Sequence, residues 1–330
     1  MQWYHYTILA IVIILVIYLV ISYEIYKKIF ISFNKKKRPL VDQSLEFYAC
    51  SYDWYLKIPK EDVYIHSYDN LKLHGVYIPP LDRNTDNLAI VIHGYQSCAE
   101  DMVIIAKLYS DLGFKILLID LRGHGQSEGK FTSMGYYEKY DLKKWINFAL
   151  RSYGSTSKIL LHGVSMGAAM SMLVTDITPR ENIEYLILDS GFTNFKDSLI
   201  CSLKKKSLRM FLPAVSIFTF LFHKFTLKKI APIKSIKMSN IPFLIIQGEK
   251  DKPVPVSMAK ELYEASPITE KEILLVENAP HAKAFEIDKD LVTNTIIKKI
   301  TKTFNIKKAN IKFCEKEQIK NKVDPMSRTL

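Results

Sequence analysis

Glycine is scarce in this chain: twelve occur in 330 residues, none before Gly75 and none after Gly248. Collagen-like and low-complexity architectures are thereby excluded, and each glycine can be read as a local backbone requirement. Cysteine is scarcer still. Cys50, Cys98, Cys201 and Cys314 form no CxxC pair and no Cys/His cluster, which excludes a disulfide scaffold and a zinc site of ordinary spacing. Reduced, structural thiols are expected. Neither GxGxxG nor a GxxxxGK pair followed by Ser or Thr is present, so neither dinucleotide nor P-loop chemistry is indicated. No cofactor and no metal is expected.

Acidic residues are outnumbered by basic ones, 34 to 46, for a net charge of +12. The excess sits in three segments. Residues 1–40 hold six Lys/Arg against one acid, residues 196–240 ten against one, and residues 305–330 seven against three. The remainder is slightly acidic, and no recognised nucleic-acid motif accompanies the basic segments, so nucleic-acid binding is not expected.

Charge is absent from Thr7 to Ser22 (TILAIVIILVIYLVIS), and aromatic residues flank it on both sides. With those flanks the run approaches the roughly 20 residues that span a bilayer as a helix. No small-x-small cleavage pattern follows, so an uncleaved anchor is expected rather than a signal peptide. Lys27, Lys28, Lys35, Lys36, Lys37 and Arg38 follow the run and no Lys or Arg precedes it. The positive-inside rule then places the carboxy-terminal side in the cytoplasm.

From about residue 61 the chain alternates between β-rich runs and helix-length stretches. Runs appear at Val63–Ser67, Leu71–Ile78, Leu88–Ile92, Phe114–Asp120, Ile159–Gly163, Tyr185–Asp189, Phe243–Gln247 and Glu272–Val276. A hairpin followed by strand–helix repeats predicts an eight-stranded, mostly parallel sheet with helices on both faces. Functional groups then gather beyond the carboxyl ends of the strands. Between Asp189 and Phe243 the rhythm breaks, and Met210–Phe225 is apolar almost all round. An excursion over the sheet, acting as a lid, is expected there.

The strongest local signal is Gly163-Val164-Ser165-Met166-Gly167-Ala168-Ala169 after the Ile159–Gly163 run. A nucleophile on a sharp strand-to-helix turn needs small neighbours, which the glycines and alanines supply. A serine hydroxyl needs a base, and the base an orienting acid. Only His281 follows the last two predicted strands, so it is the candidate base. Asp251, after Phe243–Gln247, is the first choice of acid, with Glu249 its neighbour and Asp189 the second choice. Backbone N–H groups of Met166 and Tyr95 are the candidate oxyanion donors. In Asp120–Gly129 (DLRGHGQSEG), Arg122 and His124 are read as ordering a loop that lines the site, as is His93 in the loop before Tyr95.

The HGY loop, DLRGHGQSEG, GVSMGAA, GEKDKPVP and APHA together resemble the α/β-hydrolase superfamily over about residues 61–304. More narrowly the chain resembles membrane-anchored serine hydrolases near the serine aminopeptidase and prolyl-oligopeptidase branch, often described as cell-surface hydrolases. The resemblance implies Ser165 as nucleophile, Asp251 as acid, His281 as base, and Tyr95 and Met166 as oxyanion donors. It also implies an outward location, against the charge asymmetry. The expected organisation is an anchor at 1–26, a basic linker at 27–60, a catalytic domain at 61–304 with a lid at about 191–240, and a basic tail at 305–330. The expected activity is cofactor-free hydrolysis of an ester or thioester of a hydrophobic acyl substrate, with a peptidase as the alternative and a non-catalytic scaffold behind both. The expected partner is an anionic bilayer surface, drawn to the basic segments.

Overall fold

A computed structural model describes residues 2–31, 46–80, 85–178, 182–203 and 206–306. Much of the expected linker and nearly all of the expected tail lie outside these residues. Eight strands form one sheet: β1 (Glu61–His66), β2 (Lys72–Ile78), β3 (Asn87–Ile92), β4 (Lys115–Ile119), β5 (Lys158–Val164), β6 (Ile183–Asp189), β7 (Phe243–Gly248) and β8 (Lys271–Val276). Their order is β1-β2-β4-β3-β5-β6-β7-β8. The β1–β2 and β2–β4 pairs are antiparallel and every later pair is parallel. This is the mostly parallel eight-stranded sheet that the strand–helix rhythm predicts, in the arrangement that the resemblance to α/β-hydrolases implies.

The central strands are apolar on both sides because helices cover both faces. Ile90, Ile92, Leu161, Leu186 and Ile245 point into one core. Their neighbours Ala89, Val91, Leu160, Ile187 and Leu244 point into the other. The alternation is the period-two consequence of the pleat. Eleven helices complete the described chain: α1 (Gln2–Phe30), α2 (Glu46–Lys57), α3 (Val103–Asp111), α4 (Glu138–Tyr153), α5 (Met166–Leu173), α6 (Phe195–Ser202), α7 (Leu212–His223), α8 (Pro232–Met238), α9 (Val256–Ala265), α10 (Ala284–Ile287) and α11 (Lys289–Thr303). The stretch read as linker contains α2, which buries Tyr48 and Tyr55 against the second core. Cys98 and Cys201 are free thiols.

α1 is long and apolar enough to cross a membrane, and its apolar run is largely exposed. Its last turns are different, because Tyr26 and Phe30 are buried in the first core. Phe30 packs edge-on against Phe195 and Phe225, and its carbonyl accepts the Thr132 N–H at 3.0 Å. α7 runs parallel to α1: Tyr18 stacks on Phe211, Tyr23 meets Phe218, and Tyr26 meets Phe222 and His223. The insertion between β6 and β7 is therefore docked on the end of α1.

Candidate active site

The β5–α5 junction is built by two glycines. A Cβ on Gly163 would lie 2.3 Å from the Gly167 carbonyl carbon, and one on Gly167 would lie 2.2 Å from the Ile92 carbonyl oxygen. Strand and helix can approach only without those atoms. Between them Ser165 adopts φ 54°, ψ −110°, a conformation that side-chain-bearing residues rarely hold and that costs about 1–3 kcal/mol. It is held from both sides, since Ser165 donates its N–H to the Asp189 carbonyl at 2.7 Å and its carbonyl accepts from Ala169 at 3.1 Å.

Three sequence-selected side chains come together here. Ser165 Oγ lies 2.8 Å from His281 Nε2, and His281 Nδ1 lies 2.7 Å from Asp251 Oδ2. The Asp251 side chain is fully buried while the His281 ring is about one quarter exposed. Asp251 is fixed by two further donors: Val254 N–H to Oδ1 at 2.8 Å and Gln247 Nε2 to Oδ2 at 3.0 Å. An ionised carboxylate with these donors favours the His281 tautomer that carries hydrogen on Nδ1 and leaves Nε2 able to accept from Ser165.

The other two acids occupy different places. Glu249 is exposed. Asp189 is buried, and its carboxylate accepts from the Ser190 hydroxyl at 2.9 Å. Its pKa is raised to about 6, because burial pushes it up more than the Ser190 bond and the His281 charge pull it down, with a smaller upward push from the Asp251 charge. Asp189 thus acts through its backbone carbonyl on Ser165 and through Ser190, whose hydroxyl accepts the Ala282 N–H at 3.1 Å.

The loop after β3 reaches the serine at Gly94, where an added Cβ would sit 3.4 Å from Ser165 Cβ. Tyr95 follows immediately. Met166 is the first residue of α5, where a backbone N–H has no intrahelical acceptor. His93 orders this loop: Nδ1 donates to the Gly94 carbonyl at 2.7 Å, and Nε2 accepts the Leu121 N–H at 3.0 Å. Burial lowers its pKa, so a neutral ring with that tautomer satisfies both bonds.

The DLRGHGQSEG loop is structural. Arg122 is fully buried and bidentate to Asp141, at 2.6 and 2.8 Å, and to Asp69, at 3.0 Å twice. Asp120 accepts His74 Nδ1 at 2.7 Å and the N–H groups of Gln126 and Ala99. Burial alone would raise the Asp120 pKa, but these donors hold it below its ordinary value. Among the described residues no group of three His, Cys, Asp or Glu side chains is arranged to hold a metal ion.

Sequence reasoning missed four contributors. Gln247 is a buried polar residue at the end of an otherwise apolar strand, which was a usable signal. Ser190 gave none. Nor did Phe30, or the Tyr95 hydroxyl that donates to the Ile29 carbonyl at 2.9 Å.

A family model described as serine aminopeptidase, S33, matches residues 83–229. That span holds Tyr95, Ser165 and Met166 and ends before Asp251 and His281. YqkD of Bacillus subtilis is 29% identical over 228 residues, covering 68% of this chain and 73% of that one. The uncharacterized membrane protein YNL320W of Saccharomyces cerevisiae is 26% identical over 217 residues, covering 66% and 71%. The structure of the Pyrococcus furiosus esterase Pf2001 superposes with a TM-score of 0.64 at 24% identity, covering 76% of this chain and 95% of that one, which speaks to the fold. With the sheet order and the strand–turn–helix at Ser165, these likenesses show the α/β-hydrolase fold, and the matched model makes the chain similar to hydrolases of peptidase type.

Proposed function

We propose that this protein is a membrane-anchored serine hydrolase that cleaves an ester or thioester of a hydrophobic acyl group through an acyl-enzyme. The observation that carries the reading is the unbroken chain Ser165 Oγ, His281, Asp251 on a serine held at positive φ. In the reaction His281 Nε2 takes the hydroxyl proton as Oγ adds to the substrate carbonyl carbon. The Tyr95 and Met166 N–H groups stabilise the oxyanion. Collapse of the tetrahedral adduct expels the alkoxide or thiolate, which receives the proton from His281. Water then enters by the same route: His281 removes its proton, the hydroxyl attacks the acyl carbon, and Ser165 leaves with the proton returned. Asp251 stabilises the imidazolium in each half-reaction without itself being protonated.

The acyl preference rests on the apolar insertion between β6 and β7, where Phe192, Phe195 and Phe225 pack with Phe30 of α1 in the first core. α1 is the proposed anchor, and α6 to α8 form the proposed lid. The lid helix α7 exposes Ile217, Phe220, Leu221 and Phe222. With the helical segment that follows, at 82° to it, α7 forms a bent pair apolar enough for a re-entrant element. Lys27, Lys28 and the 35–38 basic run favour the cytoplasmic leaflet for the catalytic domain.

A fluorophosphonate probe applied to the full chain in its membrane should label Ser165, and Ser165→Ala should lose the label. Equal labelling of the variant would remove the nucleophile assignment. Comparing turnover of acyl esters with that of aminoacyl amides then separates esterase from peptidase, and a preference for the amides would overturn the ester reading. Strong alkaline phosphatase activity from a carboxy-terminal fusion would reverse the orientation.

A further inference from the structure

A cavity lies in the insertion, away from the catalytic serine. It measures about 710 Å³ and is bounded by α6, the turn at Lys206–Phe211, α7 and the turn at Leu227–Lys229. None of Ser165, His281, Asp251, Tyr95 or Met166 lines it. Its apolar lining is Ile200, Leu212, Pro213, Ile217, Phe220 and Leu227. Leu212 and Leu227 are buried, while Ile217 and Phe220 stay about half exposed on the same helix face. A volume of 300–1,000 Å³ is that of a site for a small organic ligand.

The polar part of the lining has one sign. Lys196, Arg209 and Lys228 contribute to it and no acidic side chain does. Asp197, adjacent in sequence to Lys196, is engaged with Asn194 at the start of α6. An apolar cavity lined by three cations and no anion is complementary to an amphiphile with a negative head.

The position of the cavity narrows the source. α7 carries it on one flank and α1 on the other: Phe218 and Phe222 face Tyr23 and Tyr26, whereas Leu212, Ser216, Ile217 and Phe220 face the cavity. The Tyr18 hydroxyl donates to the Met210 carbonyl at 2.9 Å, and Tyr18 lies inside the uncharged Thr7–Ser22 run. Arg209 therefore stands beside a residue at membrane depth. A cation there reaches toward lipid headgroups.

We propose that this cavity binds an anionic glycerophospholipid of the surrounding leaflet, one acyl chain lying against Ile217, Phe220 and Leu227 and the phosphate among Lys196, Arg209 and Lys228. The inference rests on the membrane-anchored reading above but not on the catalytic one.

The test uses the full chain in vesicles containing phosphatidylglycerol or phosphatidylcholine that carries a diazirine on one acyl chain. Phosphatidylglycerol should cross-link to peptides within residues 196–228, and unlabelled phosphatidylglycerol should compete where phosphatidylcholine does not. The double variant Arg209→Gln, Lys228→Gln should lower capture about thirtyfold. Fluorophosphonate labelling of Ser165 is measured on the same samples. Retained labelling of the double variant shows that it is folded. Wild-type labelling at Ser165 with no lipid capture would overturn the cavity proposal alone. Equal capture of both lipids, unchanged capture by the double variant, or displacement by a free fatty acid but not by phosphatidylglycerol would each overturn it as well.

Discussion

Two buried aspartates lie close to His281, and replacing each with asparagine should give opposite outcomes. In Asp251→Asn the amide has two placements. With nitrogen at the Oδ1 position it faces the Val254 N–H, a donor 2.8 Å away, which leaves that backbone group unsatisfied at a cost of about 1–3 kcal/mol. With nitrogen at the Oδ2 position it faces Gln247 Nε2, which has a second acceptor in the Val254 carbonyl at 2.8 Å and can give way. The second placement is favoured, and it presents a donor to His281 Nδ1. The ring must then carry its hydrogen on Nε2, which can no longer accept from Ser165. Loss of the correct tautomer in a comparable triad lowers turnover about 10⁴-fold. We expect kcat/KM for a short p-nitrophenyl ester, measured on the full chain, to fall by roughly 10³–10⁴. Asp189→Asn keeps the backbone carbonyl that holds Ser165 and an oxygen for the Ser190 hydroxyl, so its rate should stay within about fivefold of wild type. If Asp189→Asn falls as far as Asp251→Asn, or if Asp251→Asn stays within about tenfold of wild type, the assignment of the acid fails.

Asp189 also predicts a pH dependence of stability. Its folded pKa, near 6, is above the ordinary 3.8, so between those values the folded state binds the extra proton and stability falls as pH rises. The loss is of order 3 kcal/mol and is complete above about pH 6. Thermal melts of Asp189→Asn should gain on wild type between pH 4 and pH 6.5; a constant difference would contradict the shift. Gly167→Ala brings a Cβ within 2.2 Å of the Ile92 carbonyl oxygen and should abolish both folding and fluorophosphonate labelling. Gly113→Ala meets no atom within 4 Å but sits at φ +81°, so it should cost only about 1 kcal/mol and keep activity. Arg122→Met leaves Asp141 buried without its bidentate partner. It should lower stability by about 3–5 kcal/mol, read as a melting-temperature drop; a drop below about 1 kcal/mol would show that the pair is dispensable.

The sheet and the β5–α5 turn were legible because their determinants are local. Alternation marks a strand, and Gly163, Gly167, Ala168 and Ala169 mark a place where helix and strand backbones nearly touch. His281 and Asp251 were legible for a topological reason: parallel strands deliver their carboxyl ends to one edge, so a residue just after β7 and one just after β8 arrive beside a residue just after β5. Asp189 satisfies the same rule, and only the side-chain bonds separate it from Asp251. The docking of α1 was not legible. Tyr26 reaches His223, a residue 197 positions away, at 2.6 Å, and apolar periodicity carries no information about which of many apolar faces will meet. Read alone, residues 2–30 are an anchor and nothing more. In the fold their last turn meets the loop that carries Tyr95, because the Ile29 carbonyl takes the Tyr95 hydroxyl, and Phe30 packs in the core against Phe195 and Phe225. Removing α1 would therefore do more than remove the proposed bilayer anchor. It would uncover the core around Phe195 and Phe225 and free the loop that follows Gly94, so the chain lacking residues 1–31 should lose turnover even in detergent.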